Sequence, residues 1–365
     1  MEFIILNTKV KENDVTQKAL IYTGNLLTTT YAKTAHGLIR GSKRFEAVAI
    51  IDAESAGQDA GTLLDGVERN IPIYASLEDA KNNNINADVF VVGVATQGGQ
   101  ITAELKTILI NALESGLDVV CGLHSLITED EEIVAAAQAN GRQLFDVRKP
   151  KKASELHFWS GDIKKVNTPI VAVLGTDCAV GKRTTAKMIT EDLAAKNKKA
   201  CMVYTGQTGW LQGWKHGFIF DSTPNDFVSG ELEHAILECI KDENPSVVLL
   251  EGQSALRNPS GPCGAEYLLS ANAKHVVLQV APARDYFIGL EDQDCVQHSV
   301  ASEIKLIEAY GSKVIGITIN SENLNQDDIA QLKKQYSEEF NIPVVAPMFD
   351  KMDAISDAVF NLVQQ

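Results

Sequence analysis

Short runs of consecutive apolar residues recur along this chain, each followed by a stretch whose apolar positions return every three or four residues. Runs at 19–24, 47–52, 88–93, 117–121 and 143–147 have the length and β-branched content of buried strands. Helical spacing near 32–41, 101–115 and 129–139 separates them. The alternation resumes with strands expected at 171–174 and near 200–204, 217–221, 246–250, 275–280, 313–319 and 342–346. Helices are expected near 181–195, 226–241, 295–310, 325–338 and 351–363. Uninterrupted apolar strands alternating with helices predict an α/β fold of parallel sheets covered on both faces. Between the two series the periodicity lapses and Arg148, Lys149, Lys151, Lys152, Lys164 and Lys165 gather. Residues 151–168 therefore read as a solvated connection between a domain at 1–150 and a second at 169–365.

The junction of the first strand and helix in the second half carries the strongest chemical signal. It reads Gly175-Thr176-Asp177-Cys178-Ala179-Val180-Gly181-Lys182-Arg183-Thr184-Thr185. An apolar strand, a glycine-bounded turn and a lysine opening a helix make a phosphate-binding loop, as in P-loop NTPase-like doubly wound sheets. The loop is one residue longer than the usual G-x-x-x-x-G-K spacing, and Arg183 stands where a magnesium-binding Ser or Thr is normally found. Thr184 and Thr185 follow, each rotated by about 100° around the helix. Phosphate binding thus follows from the motif more directly than metal-dependent phosphoryl transfer does.

Composition narrows the partners. The 365 residues carry a net charge of −15, which disfavours nucleic acid and membrane surfaces and requires local cations wherever an anion binds. Cys121, Cys178, Cys201, Cys239, Cys263 and Cys295 form no C-x-x-C pair, so neither a disulfide frame nor a zinc knuckle is read and no metal ligands are assigned. The opening Met1-Glu2-Phe3 lacks the basic start of a leader, and a cytoplasmic protein is expected.

In parallel α/β sheets ligands meet the carboxyl ends of the strands. Glu251, following 246–250, suits a general base or a magnesium ligand. Gln207 lies in the Gly-punctuated loop Tyr204-Thr-Gly-Gln-Thr-Gly-Trp210, which serves either a polar ligand or a structural turn. Arg284 suits an anion clamp, and Asn320 an adenine edge. In the first half, His36 and Arg40 share a helix face that either holds a carboxylate or is merely solvated. His124, at a strand end, is the other candidate base, histidine being the residue type ordinarily suited to proton transfer at neutral pH.

The lengthened loop Gly175–Lys182, with Glu251-Gly252 and Asn320, resembles dethiobiotin synthetase over the second half. A closer likeness spans nearly the whole chain. Gly175 through Thr185 with its Lys-Arg-Thr-Thr variant, Tyr204-Thr-Gly-Gln-Thr-Gly209, Glu251-Gly-Gln253 and Gly122-Leu-His124 together resemble the D-glutamate N-acetyltransferase family. That resemblance implies a Rossmann-like N-terminal domain, a P-loop C-terminal domain, and acetyl transfer from acetyl-CoA to the amine of D-glutamate. Acyl transfer requires a base, oxyanion donors and cations for two carboxylates. His124 or Glu251 is expected as base, loop N–H groups as oxyanion donors, and Arg40, Arg148 or Arg284 as clamps, in a cleft between the two halves of the chain; a homo-oligomer is also expected. The alternatives are an ATP- and Mg²⁺-dependent ligase or kinase, using Thr184 or Thr185 with Asp177 and Glu251, or a nucleotide-binding sensor.

Overall fold

A computed structural model describes residues 16–96 and 98–364. The leader reading, made on Met1 and its neighbours, lies outside these residues. The chain divides into two compact units, one reaching to Lys149 and including Leu211–Gly213, the other made of the remainder.

The first unit holds a parallel sheet of β1 (Gln17–Tyr22), β2 (Phe45–Ile51), β3 (Ile73–Tyr74), β4 (Val89–Val92), β5 (Asp118–Cys121) and β6 (Leu144–Asp146). Their order, β3-β2-β1-β4-β5-β6, is that of a doubly wound Rossmann sheet. Every residue of β4 is buried, because helices cover both faces; this is why the strand reads as a continuous apolar run. Helix α1 (Lys33–Ile39) follows β1, and α4 (Ala103–Glu114) and α5 (Glu131–Ala139) close one face over Phe90 and Val119, with Ile133 of α5 in the same core. Thr102 and Asp130 accept backbone N–H groups at the starts of α4 and α5. Strand β3 and the helices α2 (Ala60–Asp65) and α3 (Leu77–Asn82) were not anticipated, being too short to complete a recognisable period.

The second unit holds β7 (Ile170–Gly175), β8 (Ala200–Tyr204), β9 (His216–Gly217), β10 (Val247–Glu251), β11 (His275–Val280), β12 (Lys313–Ile319) and β13 (Val344–Val345). They form one parallel sheet, ordered β13-β12-β11-β7-β10-β8-β9. The connection from β7 leads toward β8 and that from β10 crosses to β11, so chain direction reverses around β7, where α/β sheets bind ligands. The helices are α6 (Lys182–Ala195), α7 (Gln207–Leu211), α8 (Asn225–Glu243), α9 (Ala265–Leu269), α10 (Val300–Ala309), α11 (Gln326–Phe340) and α12 (Asp353–Asn361).

Two local expectations give way. Of 217–221, only Gly217 belongs to a strand, and Phe220–Ser222 is a 3₁₀ turn. The loop expected at 204–210 turns into α7, because Gly209 lets it press on the sheet: a Cβ there would lie 2.3 Å from Tyr204 Cβ.

The stretch read as a solvated connection is also held in place, against α8. Glu231, 1% exposed, accepts from His157 N and Nδ1 and pairs with Lys151, while Glu233 accepts from the Ser160 and Ile163 N–H groups. Lys152, Lys164 and Lys165 remain exposed, as a solvated stretch requires. A Cβ on Gly230 would come within 1.9 Å of the His157 carbonyl oxygen, a backbone atom that cannot swing aside. Gly230→Ala should therefore cost about 1–3 kcal/mol, the usual penalty of overpacking. Urea unfolding checks this; an unchanged midpoint would mean the 157–163 segment does not need its seat on α8.

Candidate phosphate-binding site

The turn between β7 and α6 is shaped by backbone that side chains would obstruct. Ala179 and Gly181 adopt positive φ, 54° and 111°. A Cβ on Gly175 would meet Val180 Cγ2 at 2.8 Å and Lys182 Cδ at 3.1 Å. The Lys182 side chain folds back over the turn, its ammonium donating to Asp177 O (2.6 Å) and Ser254 O (2.7 Å). The start of α6 thus gathers N–H groups, a helix dipole and the adjacent cations Lys182 and Arg183.

Asp177 was expected to face ligand or magnesium. Instead its carboxylate is fully buried and turned inward. Oδ1 accepts from Cys178 N (2.7 Å) and Asn258 Nδ2 (3.2 Å). Oδ2 accepts from Arg284 (3.0 Å), Ile288 N (2.9 Å) and Gln297 Nε2 (3.2 Å). With five donors on two oxygens, the carboxylate is a structural hub, and Asp177 offers a ligand only its backbone. Arg284 is corrected with it: its guanidinium binds Asp177, Cys178 O and Glu322, so its charge is already balanced. Thr185 is likewise committed, being 1% exposed and donating to Gln279 Oε1, which also accepts from Thr318. Asn320 braces the loop, donating to Val180 O (2.9 Å) and accepting from Glu322 N (2.7 Å), so neither end of its amide is turned to an adenine.

Glu251 ends β10 beside this turn. It is 5% exposed, and Oε2 accepts from Thr205 N (3.0 Å). Burial raises its pKa, opposed by the charge of Arg183, the Thr205 and Gly206 N–H groups and Lys182. Gly206 and Gly209 leave room for it: Cβ atoms there would approach its oxygens to 3.5 and 3.0 Å. Thr205 bonds in turn to Gln253 and Tyr267, which fixes the carboxyl's surroundings. Gln207 lies buried at the start of α7. A proton acceptor of raised pKa beside two cations and a phosphate turn is equipped for general-base chemistry.

The first-unit candidates have separate settings. His36 is hydrogen-bonded through Nε2 to Leu27 O (2.6 Å), while Arg40 pairs with Asp65 (3.1 Å) at the far end of α1, so the two do not form one clamp. His124 is exposed on the loop after β5, packed against Gly99. Arg148 is buried and donates to Gly122 O, and Asp146 accepts from Ile127 N and Thr128 N; both hold the loop that carries His124. Asp52, at the β2 end where a dinucleotide fold presents its ribose-binding acid, is 2% exposed and bonded to Thr23, Leu27 N and Ser55 N. Cys121 is no nucleophile, since burial pushes its thiol up to about 12.

Sequence reasoning missed Asn258, Gln279, Gln297 and Ser254. Ser254 directly follows the strand-end run Glu251-Gly252-Gln253 and Gln279 stands one residue before the end of β11, signals that could have found them, whereas Asn258 and Gln297 lie in loops without such a signature.

Comparison with known proteins bears on the whole chain. Residues 53–150 match the DUF1611_N Rossmann-like domain and residues 157–356 the DUF1611_C P-loop domain, both described as domains of unknown function. A protein of Tritonibacter scottomollicae named D-glutamate N-acetyltransferase is 29% identical, over 93% of this chain and 97% of its own. One of the same name from a Pseudoalteromonas species is 27% identical, over 74% and 81%. The crystal structure of a DUF1611 family protein from Anabaena variabilis superposes with a TM-score of 0.86 at 25% identity, covering 94% of this chain and 99% of that one.

Removing the Arg284 guanidinium would strip the buried Asp177 carboxylate of its ion-pair partner. Arg284→Ala should cost about 3 kcal/mol in stability. Thermal unfolding with and without Asp177→Asn tests the coupling; strictly additive losses would show that the pair does not act together.

Proposed function

The chain belongs to the DUF1611 family, and on that premise we propose that it is an N-acetyltransferase moving acetyl from acetyl-CoA to the amine of D-glutamate. The names of two relatives matched over 74% and 93% of this chain support the reaction class. The observation that carries the reading from the chain's own residues is the state of the phosphate turn. Of the side chains that magnesium would need, Asp177 and Thr185 are committed to internal hydrogen bonds and Glu251 is buried with a raised pKa, which leaves the half-buried hydroxyl of Thr184. The turn is thereby suited to a phosphorylated carrier neutralised by Lys182 and Arg183, and poorly suited to metal-assisted phosphoryl transfer.

In this reading the turn's N–H groups, Lys182 and Arg183 hold phosphate groups of coenzyme A. Glu251 takes a proton from the substrate ammonium, freeing the nitrogen lone pair. The nitrogen attacks the thioester carbonyl carbon; the C–N bond forms, the C–S bond breaks, and a second N–H proton ends on the departing sulfur. Glu251 is preferred to His124 as base because it adjoins the phosphate turn within one unit.

Free-thiol release from acetyl-CoA should depend on D-glutamate. Release of phosphate from MgATP that requires a carboxylate substrate, with no thiol release, would replace this reading by a ligase. Glu251→Gln should lower kcat by about a hundred- to ten-thousandfold with KM little changed. The wild-type rate should fall on acidification through a limb displaced above the usual carboxylate range, since burial raises this pKa and only the ionised form accepts the proton. Persistence of that limb in Glu251→Gln would assign the base elsewhere. Arg183→Thr should weaken coenzyme A binding about ten- to hundredfold by calorimetry; unchanged affinity would remove Arg183 from the phosphate site.

A further inference from the structure

Cys201, His216 and Cys239 are separated along the chain but meet in the second unit. Cys201 lies on β8 two residues before Val203, which pairs with His216 of the edge strand β9. Alternation along a strand therefore puts Cys201, Val203 and His216 on one face. Helix α8 covers that face, and its Cys239 packs into the same cluster as Val203. One ligand-type atom from each of Cys201, His216 and Cys239 lies within 4.8 Å of the other two.

We propose that these three side chains form a binding site for a thiophilic divalent ion of the Zn²⁺ class. Two thiolates and an imidazole are among the donors that zinc selects. A triangle of that size has a centre no more than about 2.8 Å from each corner, so a contraction of about half an ångström reaches zinc–sulfur bond length.

A second observation points to a ligand. His216 is only 7% exposed, yet its buried Nε2 has no hydrogen-bond partner. Its nearest acid is Glu243, 3.7 Å away at the end of α8. A carboxylate at that position can orient the ring as an outer partner of a metal-bound histidine or move in as a fourth ligand. The surroundings favour a cation. The C-terminal turns of α8 present carbonyls and the negative end of the helix dipole. Lys215, beside His216, is neutralised by Asp242 at 3.1 Å and Glu243 at 3.5 Å. The ion would replace two thiol protons, which leave to solvent, and would tie the edge strand to α8.

The site lies near the start of β8, whereas the Glu251 network meets that strand's other end at Thr205, so the proposal does not rest on the acetyl-transfer reading. The test uses tag-free, reduced, chelator-treated full-length protein titrated with Co²⁺. One equivalent should produce a thiolate-to-cobalt charge-transfer band and tetrahedral d–d bands, both abolished by one equivalent of Zn²⁺. Cys239→Ser and His216→Ala should lose or strongly reduce the band, and Glu243→Gln should weaken binding about ten- to hundredfold. In the wild-type protein, Zn²⁺ should protect Cys201 and Cys239 from alkylation while the other four of the six cysteines react as before; this readout needs no variant to fold. Absence of a charge-transfer band in the reduced wild type, a band unchanged in Cys239→Ser, or no protection of this pair would overturn the proposal.

Discussion

A carboxyl group with no exposure to water must have its oxygens satisfied from within the protein, and Asp177 is held by two backbone N–H groups, two amides and a guanidinium. This constraint shapes the phosphate turn. Cys178 N is drawn inward, Arg284 and the 288–297 segment are fastened beneath the turn, and Ala179 takes a left-handed conformation that an unsupported residue would seldom hold. Asn320 adds a brace from β12 to Val180 O. The turn is therefore preorganised: its N–H groups are aimed by the protein rather than by an arriving anion, which lowers the ordering cost of binding.

The same constraint separates what could be read in the sequence from what could not. Central strands such as β4, β7 and β10 were legible because residues buried on both faces leave an unbroken apolar run. The phosphate turn was legible because a glycine-bounded strand-to-helix turn ending in lysine has few other uses. Asp177 misled for a definable reason: a carboxylate in a phosphate loop looks like a metal ligand until its direction is known. Direction depends on Arg284 and Gln297, more than a hundred residues away. The Glu231 and Glu233 contacts that seat residues 157–163 are hidden likewise, since acids in a long helix ordinarily read as its solvated face. The Cys201, His216 and Cys239 cluster has no motif at all. It depends on strand register and on a helix crossing, neither of which local spacing encodes.

Charge placement links the turn to Glu251. In a chain of net charge −15, Lys182 and Arg183 are consecutive, and both act on a buried carboxyl that burial alone would drive further toward the protonated form. Under the proposed reading, an anionic phosphate drawn to these cations weakens their hold on Glu251. Its pKa then rises, and its carboxylate becomes a stronger proton acceptor while the carrier is bound. Linkage makes the effect mutual: ionised Glu251 competes with the incoming phosphate for the same positive charge, so the carrier binds more tightly once that carboxyl has taken up a proton. Proton uptake by the base and retention of the carrier are thus two expressions of one electrostatic balance. Arg183, in place of the customary hydroxyl, provides a cation that the helix itself supplies.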